Sequence, residues 1–265
     1  MKVLLYVNPD KDTDGKYSSE IRFLLEKHEI EYSFVSETEE RTDYDALLVF
    51  GGDGTLLRRT KIANKSGLPI IGINGGKLGF LTEFEFAETE MAIVLLKSGM
   101  LVPDARATLK VTFNDETFYA LNDATVSRIY EENKRMVVNF GIRINQTEIQ
   151  SVSGDGIIVA TPTGSTAYSL SAGGAVLAPS LNAFCITPIA SHSVFVRSIV
   201  YSSDNKCTLT HQGGSKAGLF VDGKLVAEMH EGDTINICKA EKDTVFLRKN
   251  DFNFFSRLSK KFQNR

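Results

Sequence analysis

The stretch Ala46-Leu47-Leu48-Val49-Phe50-Gly51-Gly52-Asp53-Gly54-Thr55-Leu56-Leu57 sets the terms for the rest of the chain. An unbroken apolar run enters three glycines that bracket a lone carboxylate, and a hydroxyl residue then opens a run of helix formers. That order predicts a buried strand, a tight turn and a helix start. Glycine lets the backbone come close to a ligand and turn its amides outward. Those amides, with the positive end of the following helix, suit phosphate oxygens. A carboxylate inside such a turn opposes the anion that the amides attract. Asp53 is therefore read as a residue kept for chemistry, as a proton acceptor or an orienter of a hydroxyl group. The alternative is a turn former that bonds its own backbone, and the turn alone leaves both open.

Around this run the chain alternates strand and helix. Lys2 to Val7 reads as a buried strand of a parallel sheet, ended by Asn8-Pro9-Asp10. Ser18 or Ser19 can cap a helix whose Ile21, Leu24 and Leu25 fall at helical spacing. A short strand, Glu31 to Val35, an acidic linker through Glu40, a helix from Leu56 to Lys65 and a buried strand from Leu68 to Asn74 continue the pattern. Such alternation predicts an open α/β sheet, with ligands at the carboxyl ends of its strands. A second glycine turn, Gly72-Ile73-Asn74-Gly75-Gly76-Lys77-Leu78-Gly79-Phe80-Leu81, falls on the same edge. Its glycines cost backbone entropy, so the loop is expected to hug something. Phe80 could stack on a flat ring or fill the core, and Lys77 could touch phosphate or stay solvated.

After a last helix from Glu88 to Lys97, Leu101-Val102-Pro103-Asp104 reads as the crossing into a second domain. Short strands separated by turn residues follow, among them Thr108 to Phe113 and Thr117 to Leu121 as a hairpin, Met136 to Ile144, Ile157 to Ala160 and Thr244 to Leu247. The fold class expected is an α/β N-terminal domain with an open, mostly parallel sheet, plus an all-β C-terminal sandwich. Its boundaries are residues 1–104 for the α/β domain, 105–248 for the sandwich and 249–265 for an aromatic tail that docks back on the first domain.

A net charge of -3 over 265 residues leaves no electrostatic footprint for nucleic acid, so the expected partner is a compact small molecule. No run approaches a membrane span, and Met1-Lys2-Val3 leads straight into a strand, so neither a membrane nor a secretory signal is expected. Cys185, Cys207 and Cys238, an odd number in apolar or strand-like surroundings, read as reduced thiols of a cytoplasmic protein rather than as a disulfide set or a metal site. His211 and His230 lack carboxylate or cysteine partners at metal spacing and read as surface residues.

The second informative run is Ser153-Gly154-Asp155-Gly156-Ile157-Ile158-Val159-Ala160-Thr161-Pro162-Thr163-Gly164-Ser165-Thr166-Ala167-Tyr168-Ser169-Leu170-Ser171-Ala172-Gly173-Gly174. A strand between a Gly-Asp-Gly turn and a dense set of hydroxyls offers many donors and little bulk, as a polar, ring-bearing ligand requires. A Ser/Thr-rich loop that merely caps a helix is the plainer reading of the hydroxyls alone.

Taken together, Gly51-Gly52-Asp53-Gly54-Thr55, the elements from Gly72 to Leu81, Asn122-Asp123, and Gly154-Asp155-Gly156 with Thr161 to Tyr168 resemble the NAD kinase family over most of the chain. The first motif is shared with diacylglycerol kinases and phosphofructokinases; the long hydroxyl-rich run is specific. The resemblance implies transfer of the γ-phosphoryl group of ATP, with Mg²⁺ or another divalent cation, to the adenosine-ribose 2′-hydroxyl of NAD, in a homotetramer. Carried over by position, it implies that Asp53 accepts the hydroxyl proton, Gly54 approaches the nucleotide, and Phe80 lines the adenine pocket. Asn122 contacts the nucleotide with Asp123 beside it, and Asp155 and Ala190 reach the nicotinamide half across a subunit boundary. Thr163, Thr166, Ala167, Tyr168 and Ser171 enclose adenine and ribose. Asp123 stands where the family generally has glutamate, and Ser153, kept as a candidate contact, stands where many relatives have a basic residue. Lys224 stands where glutamine is common, and its neighbours Asp222-Gly223 read as a hairpin turn.

No Gly-x-x-x-x-Gly-Lys-Ser/Thr loop is present, which excludes a P-loop ATPase. Leu57 stands where a dinucleotide fingerprint needs its third glycine, so a hydride-transfer enzyme lacks support. Two other classes stay open. One is a regulatory subunit sensing NADP or adenine compounds, which the intact Asp53 argues against. The other is a lipid kinase, disfavoured because the chain has neither a basic amphipathic segment nor an anchor.

Overall fold

The structure, a computed structural model, describes residues 1–35, 41–76, 79–130, 137–193 and 195–263. The acidic linker through Glu40, Lys77 with Leu78, and Met136 at the start of the strand expected through Ile144 lie outside the described residues. In chain order the elements are β1 (Lys2–Val7), α1 (Lys16–Lys27), β2 (Glu31–Phe34), β3 (Ala46–Phe50), α2 (Asp53–Ser66), β4 (Ile70–Asn74), β5 (Phe84–Glu85), α3 (Thr89–Lys97) and β6 (Val102–Arg106). There follow β7 (Leu109–Phe113), β8 (Glu116–Ala120), β9 (Asp123–Arg128), β10 (Val138–Ile144), β11 (Thr147–Gly154), β12 (Gly156–Ala160) and the single turn α4 (Tyr168–Ser171). The chain continues through β13 (Ala183–Ile189), β14 (Ile199–Ser202), β15 (Cys207–Gly214), β16 (Ala217–Val221), β17 (Lys224–Met229), β18 (Thr234–Lys239), β19 (Thr244–Arg248) and α5 (Phe254–Gln263). It divides into two compact units, Met1–Ala105 with Thr244–Arg265, and Arg106–Asp243.

The first unit is an α/β sheet of order β2-β1-β3-β4-β19-β6, with β5 paired to β4. β1 pairs in parallel with both β2 and β3, and β4 with β3, β5 and β19. Every residue of β3 and β4 is buried, as expected of central strands covered on both faces. α1 presents Ile21, Leu24 and Leu25 to this core, but it begins at Lys16 rather than at a serine cap. The Asp12 carboxylate reaches forward to the amides of Tyr17 and Ser18 at 2.8 and 3.2 Å, and so satisfies the helix start from outside it. Phe50 closes the core beneath the glycine turn, stacked on Tyr17 at 4.7 Å and edge-on to Phe86 at 5.6 Å.

The second unit pairs two antiparallel sheets, β11-β10-β15-β18-β7-β8 and β14-β13-β12-β9-β16-β17. Residues of both, such as Val111, Phe140 and Ile237 from one and Val126, Ile157 and Phe184 from the other, share a single core. This is the two-sheet arrangement expected of the C-terminal part. Asn114 takes φ 51° at the tip of the expected β7–β8 hairpin.

One strand does not belong where the sequence suggested. The strand pattern predicts that β19 closes the sandwich at residue 248, yet it lies in the first unit and pairs in parallel with β4 through Phe246 and Ile70. The sandwich unit therefore ends at Asp243. The reason is visible in its burial: Thr244, Phe246 and Arg248 point inward while Val245 and Leu247 are only half-covered. That alternation is what an antiparallel strand also shows. The aromatic tail, including α5, belongs to the first unit too.

Replacing Phe50 by alanine removes a ring that is 0% exposed. Phe50→Ala is expected to lower the unfolding free energy of the first unit by about 3–5 kcal/mol, read as a shift in urea midpoint.

Candidate active site

The strand order of the first unit fixes where chemistry can occur. Neighbours of β1 run to β2 on one side and β3 on the other, so the crossover connections diverge at the β1/β3 pair. In a doubly wound sheet that divergence opens a crevice beyond the strand carboxyl ends. Asn8, leaving β1, donates its backbone amide to Phe50 O at 3.0 Å and its side-chain amide to Thr55 Oγ1 at 2.9 Å. Asn8 thereby ties the end of β1 to the first turn of α2. The glycine turn sits directly above this tie.

Asp53 is not in the turn itself but in the first turn of α2, with Gly52 as cap. Its negative charge suits that helix end. Its oxygens are held from outside the helix: Phe80 N donates to Oδ2 at 2.7 Å, and Leu81 N and Thr82 N donate to Oδ1 at 3.0 and 3.2 Å. These donors take three of the roughly four acceptor positions of a carboxylate and leave one on Oδ2. Gly54, next in the chain, is exposed, and a Cβ there would meet nothing within 4 Å.

The second glycine loop does hug something, and it is the protein. A Cβ on Gly72 would come 2.4 Å from Leu56, one on Gly75 would come 2.5 Å from Phe50, and one on Gly79 would come 1.9 Å from Asp53 Oδ1. Gly79 is thus required so that the loop can lay its amides against the carboxylate. Phe80, half-buried, packs its ring 6.1 Å from that of Phe254 in the tail.

In the second unit, Asn122 and Asp123 sit at the entry to β9 on a short segment pinned from two directions. The Asp222 carboxylate accepts from Leu121 N, Asn122 N and Asp123 N at 2.9, 2.8 and 3.2 Å. Opposite, Thr161 donates its amide to Asn122 O at 2.9 Å and its hydroxyl to Leu121 O at 2.5 Å. Gly164 lies so close that a Cβ would come 2.0 Å from Asn122 O. Asp123 itself is 5% exposed and accepts from Thr125 Oγ1 at 3.0 Å; burial raises its carboxyl above the ordinary value.

The hydroxyl run divides by direction. Thr161, Thr163, Ser165 and Ser169 are buried. Thr163 Oγ1 accepts from Arg106 at 3.3 Å, Ser165 serves Pro162 O and Leu177 N at 2.6 and 2.9 Å, and Ser169 bonds Thr187 at 2.9 Å. Those hydroxyls hold the loop together. Thr166 and Ala167 are half-buried, while Tyr168 and Ser171 are exposed on α4. The plain reading, a loop whose hydroxyls serve its own structure, therefore describes the buried members of the run.

Ser153, Asp155 and Ala190 come together where β11 of one sheet leads into β12 of the other. Ser153 O accepts from His192 N at 2.9 Å, and Asp155 N donates to Ile189 O at 2.9 Å. Ala190 takes φ 45°, and Gly154 leaves room for it, since a Cβ would come 2.8 Å from Ala190 O. Asp155 is ion-paired to Arg128, with Nε to Oδ1 at 2.9 Å. A cleft of about 590 Å³ opens beside Ala190, lined also by Gly173, Gly174, Pro188, Ser191 and Arg197.

Several residues that matter here escaped the sequence reading. Asp222 has the left-handed φ, 49°, of the hairpin turn that the sequence predicts, but its side chain also braces the Asn122 segment. Only its place after a strand, in a Val-Asp-Gly, hinted at more. Arg248 and Arg257, which reach the loop of Phe80, gave no local signal. His211 is not a surface residue: it is 3% exposed and stacks on Phe140 at 5.1 Å. The inward period of β15, with Cys207 and Leu209, carries it inside.

Residues 3–99 match the family model of the ATP-NAD kinase N-terminal domain, and residues 121–249 match that of the ATP-NAD kinase C-terminal domain. This chain belongs to the NAD kinase family. The NAD kinase of Caldicellulosiruptor bescii is 32% identical over 99% of this chain and 100% of its own length. That of Carboxydothermus hydrogenoformans is 35% identical over 86% of this chain and 83% of its own. Among solved structures, an NAD kinase from Archaeoglobus fulgidus in complex with ATP superposes with a TM-score of 0.83 at 27% identity, covering 100% of both chains. A yeast NADH kinase complexed with NADH shares the fold, with a TM-score of 0.82 at 22% identity over 100% of this chain and 87% of that one. Within the NAD kinase family match, both glycine turns fall in the N-terminal domain, and Asn122 and the hydroxyl run fall in the C-terminal one.

Burial pushes the Asp222 carboxyl up to about 6 against the pull of its three amide donors. The folded chain then holds that proton more tightly than the unfolded chain does, so this group favours folding most at low pH. The contribution is lost as pH rises from the unfolded value of 3.8 through about 6. Asp222→Asn, which does not titrate, is expected to flatten the dependence of unfolding free energy on pH across that window, measured by denaturant titration at several pH values.

Proposed function

We propose that this chain transfers the γ-phosphoryl group of ATP to the 2′-hydroxyl of the adenosine ribose of NAD, giving NADP, with Asp53 as the proton acceptor. The observation that carries the reading is the set of amides from Phe80, Leu81 and Thr82 on Asp53. They fix the carboxylate at a helix start beside open backbone at Gly54 and leave an acceptor position on Oδ2 for a hydroxyl proton. A ribose hydroxyl attacks phosphorus poorly until that proton is drawn off. A positioned general base contributes roughly 10²- to 10⁴-fold. The electron pair of the ribose oxygen forms the new P–O bond, the bond to the ADP oxygen breaks, and the proton passes to Asp53.

Little covalent chemistry falls to the protein in such a transfer, and positioning dominates. Gly54 would admit the acceptor nucleotide, and Phe80 would face its adenine. Asn122, with Asp123 beside it, and Thr163, Thr166, Ala167, Tyr168 and Ser171 would recognise base and ribose. Ser153, Asp155 and Ala190 would bound the nicotinamide half. Among the described residues no group of three or more His, Cys, Asp and Glu side chains could hold a metal ion. Mg²⁺ would be held chiefly through the ATP phosphates, as Mg²⁺ commonly binds through substrate phosphates with few protein ligands. When bound it offsets phosphate charge.

The homotetramer and the cytoplasmic location implied by the resemblance belong to the same proposal. Phe195, 90% exposed, and Val200, 49% exposed, supply apolar surface that self-association would cover. Cys185, Cys207 and Cys238 are free thiols, as suits a reducing compartment. No helix among the described residues is long and apolar enough to cross a membrane.

The decisive assay follows NADP formation from NAD and ATP. Asp53→Asn is expected to bind nucleotide while turnover falls at least about 100-fold; comparable turnover would remove Asp53 from the chemistry. Tyr168→Ala is expected to weaken NAD binding by calorimetry, and unchanged affinity would displace the proposed nucleotide pocket from α4.

A further inference from the structure

We propose that Arg257, in the C-terminal helix, is a positioning residue for Asp53 and acts through the backbone of the loop Gly79–Glu83, together with Arg248. The two faces of that backbone are engaged by opposite charges. Its amides at Phe80, Leu81 and Thr82 point to the Asp53 carboxylate. Its carbonyls point to guanidinium groups: Arg257 Nη1 donates to Gly79 O at 3.2 Å and to Thr82 O, and Arg248 donates from Nη1 to Leu81 O at 2.7 Å and from Nη2 to Phe80 O at 3.3 Å. Four consecutive carbonyls thus meet cations while three consecutive amides meet an anion. The three peptides from Gly79 to Thr82 are each polarised in the sense that strengthens both contacts.

The clamp is built rather than incidental. Glu83 is buried and takes both arginines on one oxygen, Arg248 Nη1 at 3.3 Å and Arg257 Nη2 at 3.2 Å. The ring of Phe252 lies 4.6 Å from the Arg248 guanidinium and 4.9 Å from that of Arg257. Both planar groups are therefore oriented by one aromatic ring and one carboxylate, which uses a geometry that lysine lacks. Arg248 also holds Asp104 at 3.0 Å and has a side chain 1% exposed, so it belongs to the core. Arg257 is different. It comes from α5, its side chain is 13% exposed, and the same helix sets Phe254 beside Phe80. The last turns of the chain thereby fix the carbonyl side of the loop whose amide side holds the proposed base. Backbone groups can hold Asp53 at a set angle only if the loop itself cannot rock, and the carbonyl contacts prevent that.

This inference rests on the reading of Asp53 as proton acceptor, so its test carries a measurement that needs no turnover. Arg257→Ala, Arg257→Lys and Asp53→Asn are compared with the parent chain by amide hydrogen exchange over residues 79–83, by steady-state kinetics and by thermal unfolding. In Arg257→Ala, exchange at Phe80, Leu81 and Thr82 is expected to accelerate, and kcat to fall roughly 10- to 100-fold, as small misplacements of reacting groups do. KM for ATP should change far less than kcat, and the unfolding midpoint should stay close to that of the parent. Arg257→Lys keeps the charge without the fork and should recover part of the lost kcat. Unchanged exchange in Arg257→Ala overturns the proposal, as does accelerated exchange with kcat intact. A fall in kcat that only tracks lost folded protein overturns it equally. Full turnover in Asp53→Asn would sink the proton-acceptor reading alone, and accelerated exchange in Arg257→Ala would then still support the clamp.

Discussion

The Asp53 carboxylate and the three amides that grip it are the contact that fixes the second glycine loop against the start of α2. The grip works only because of what is absent at Gly79, where any side chain would collide with Oδ1. It requires β3 and β4 to end side by side, so that the turn after one faces the loop after the other. The helix start adds its own partial charge to the same point. An acidic side chain held by backbone rather than by flexible side chains loses little further freedom when a substrate arrives, which is the condition for efficient positioning.

Behind that contact stands a buried ionic cluster. Glu83, Asp104 and Arg248 meet where Arg248 is 1% exposed, and burial raises the Glu83 carboxyl despite its arginine neighbours. Such a cluster is a poor source of net stability, because taking charges out of water costs about as much as their attraction returns. Its value lies in specificity: one arrangement satisfies every member, and that arrangement sets the loop. Lys249 extends the cluster to Glu88 at 2.6 Å and lies over the Phe84 ring at 5.0 Å. β19, which ends on Arg248 just before Lys249, belongs to the first unit although it follows the whole sandwich in the chain.

The second unit solves a similar problem with uncharged groups. The Asn122 segment is stapled by Thr161 and Gly164 on one side and by the Asp222 carboxylate on the other. The buried half of the hydroxyl run satisfies its own backbone, and this leaves Tyr168 and Ser171 facing outward on a framework that does not need them. Under the proposed function this division matters, because recognition is most precise when the groups supporting a contact are already paired.

Much of this is legible in the order of the residues alone. The apolar run into Gly51-Gly52-Asp53-Gly54, the strand-helix alternation, the change to short strands after residue 105 and the family resemblance are all local patterns, written in the order of residues. Burial and turn chemistry act over a few positions, so sequence reports them directly. What joins distant positions was decided only by the tertiary structure. β19 alternates like a sandwich strand yet pairs in the parallel sheet, because period shows which face is covered and not which partner lies alongside. His211 went inward with its strand, and Asp222 proved to be a brace. Asp53 gave the sequence reader a carboxylate among glycines, but the amides of Phe80, Leu81 and Thr82 and the arginines at positions 248 and 257 come from up to about two hundred residues further on. Hydrogen bonds across that separation leave no periodic mark, and only the folded chain brings their donors to one point.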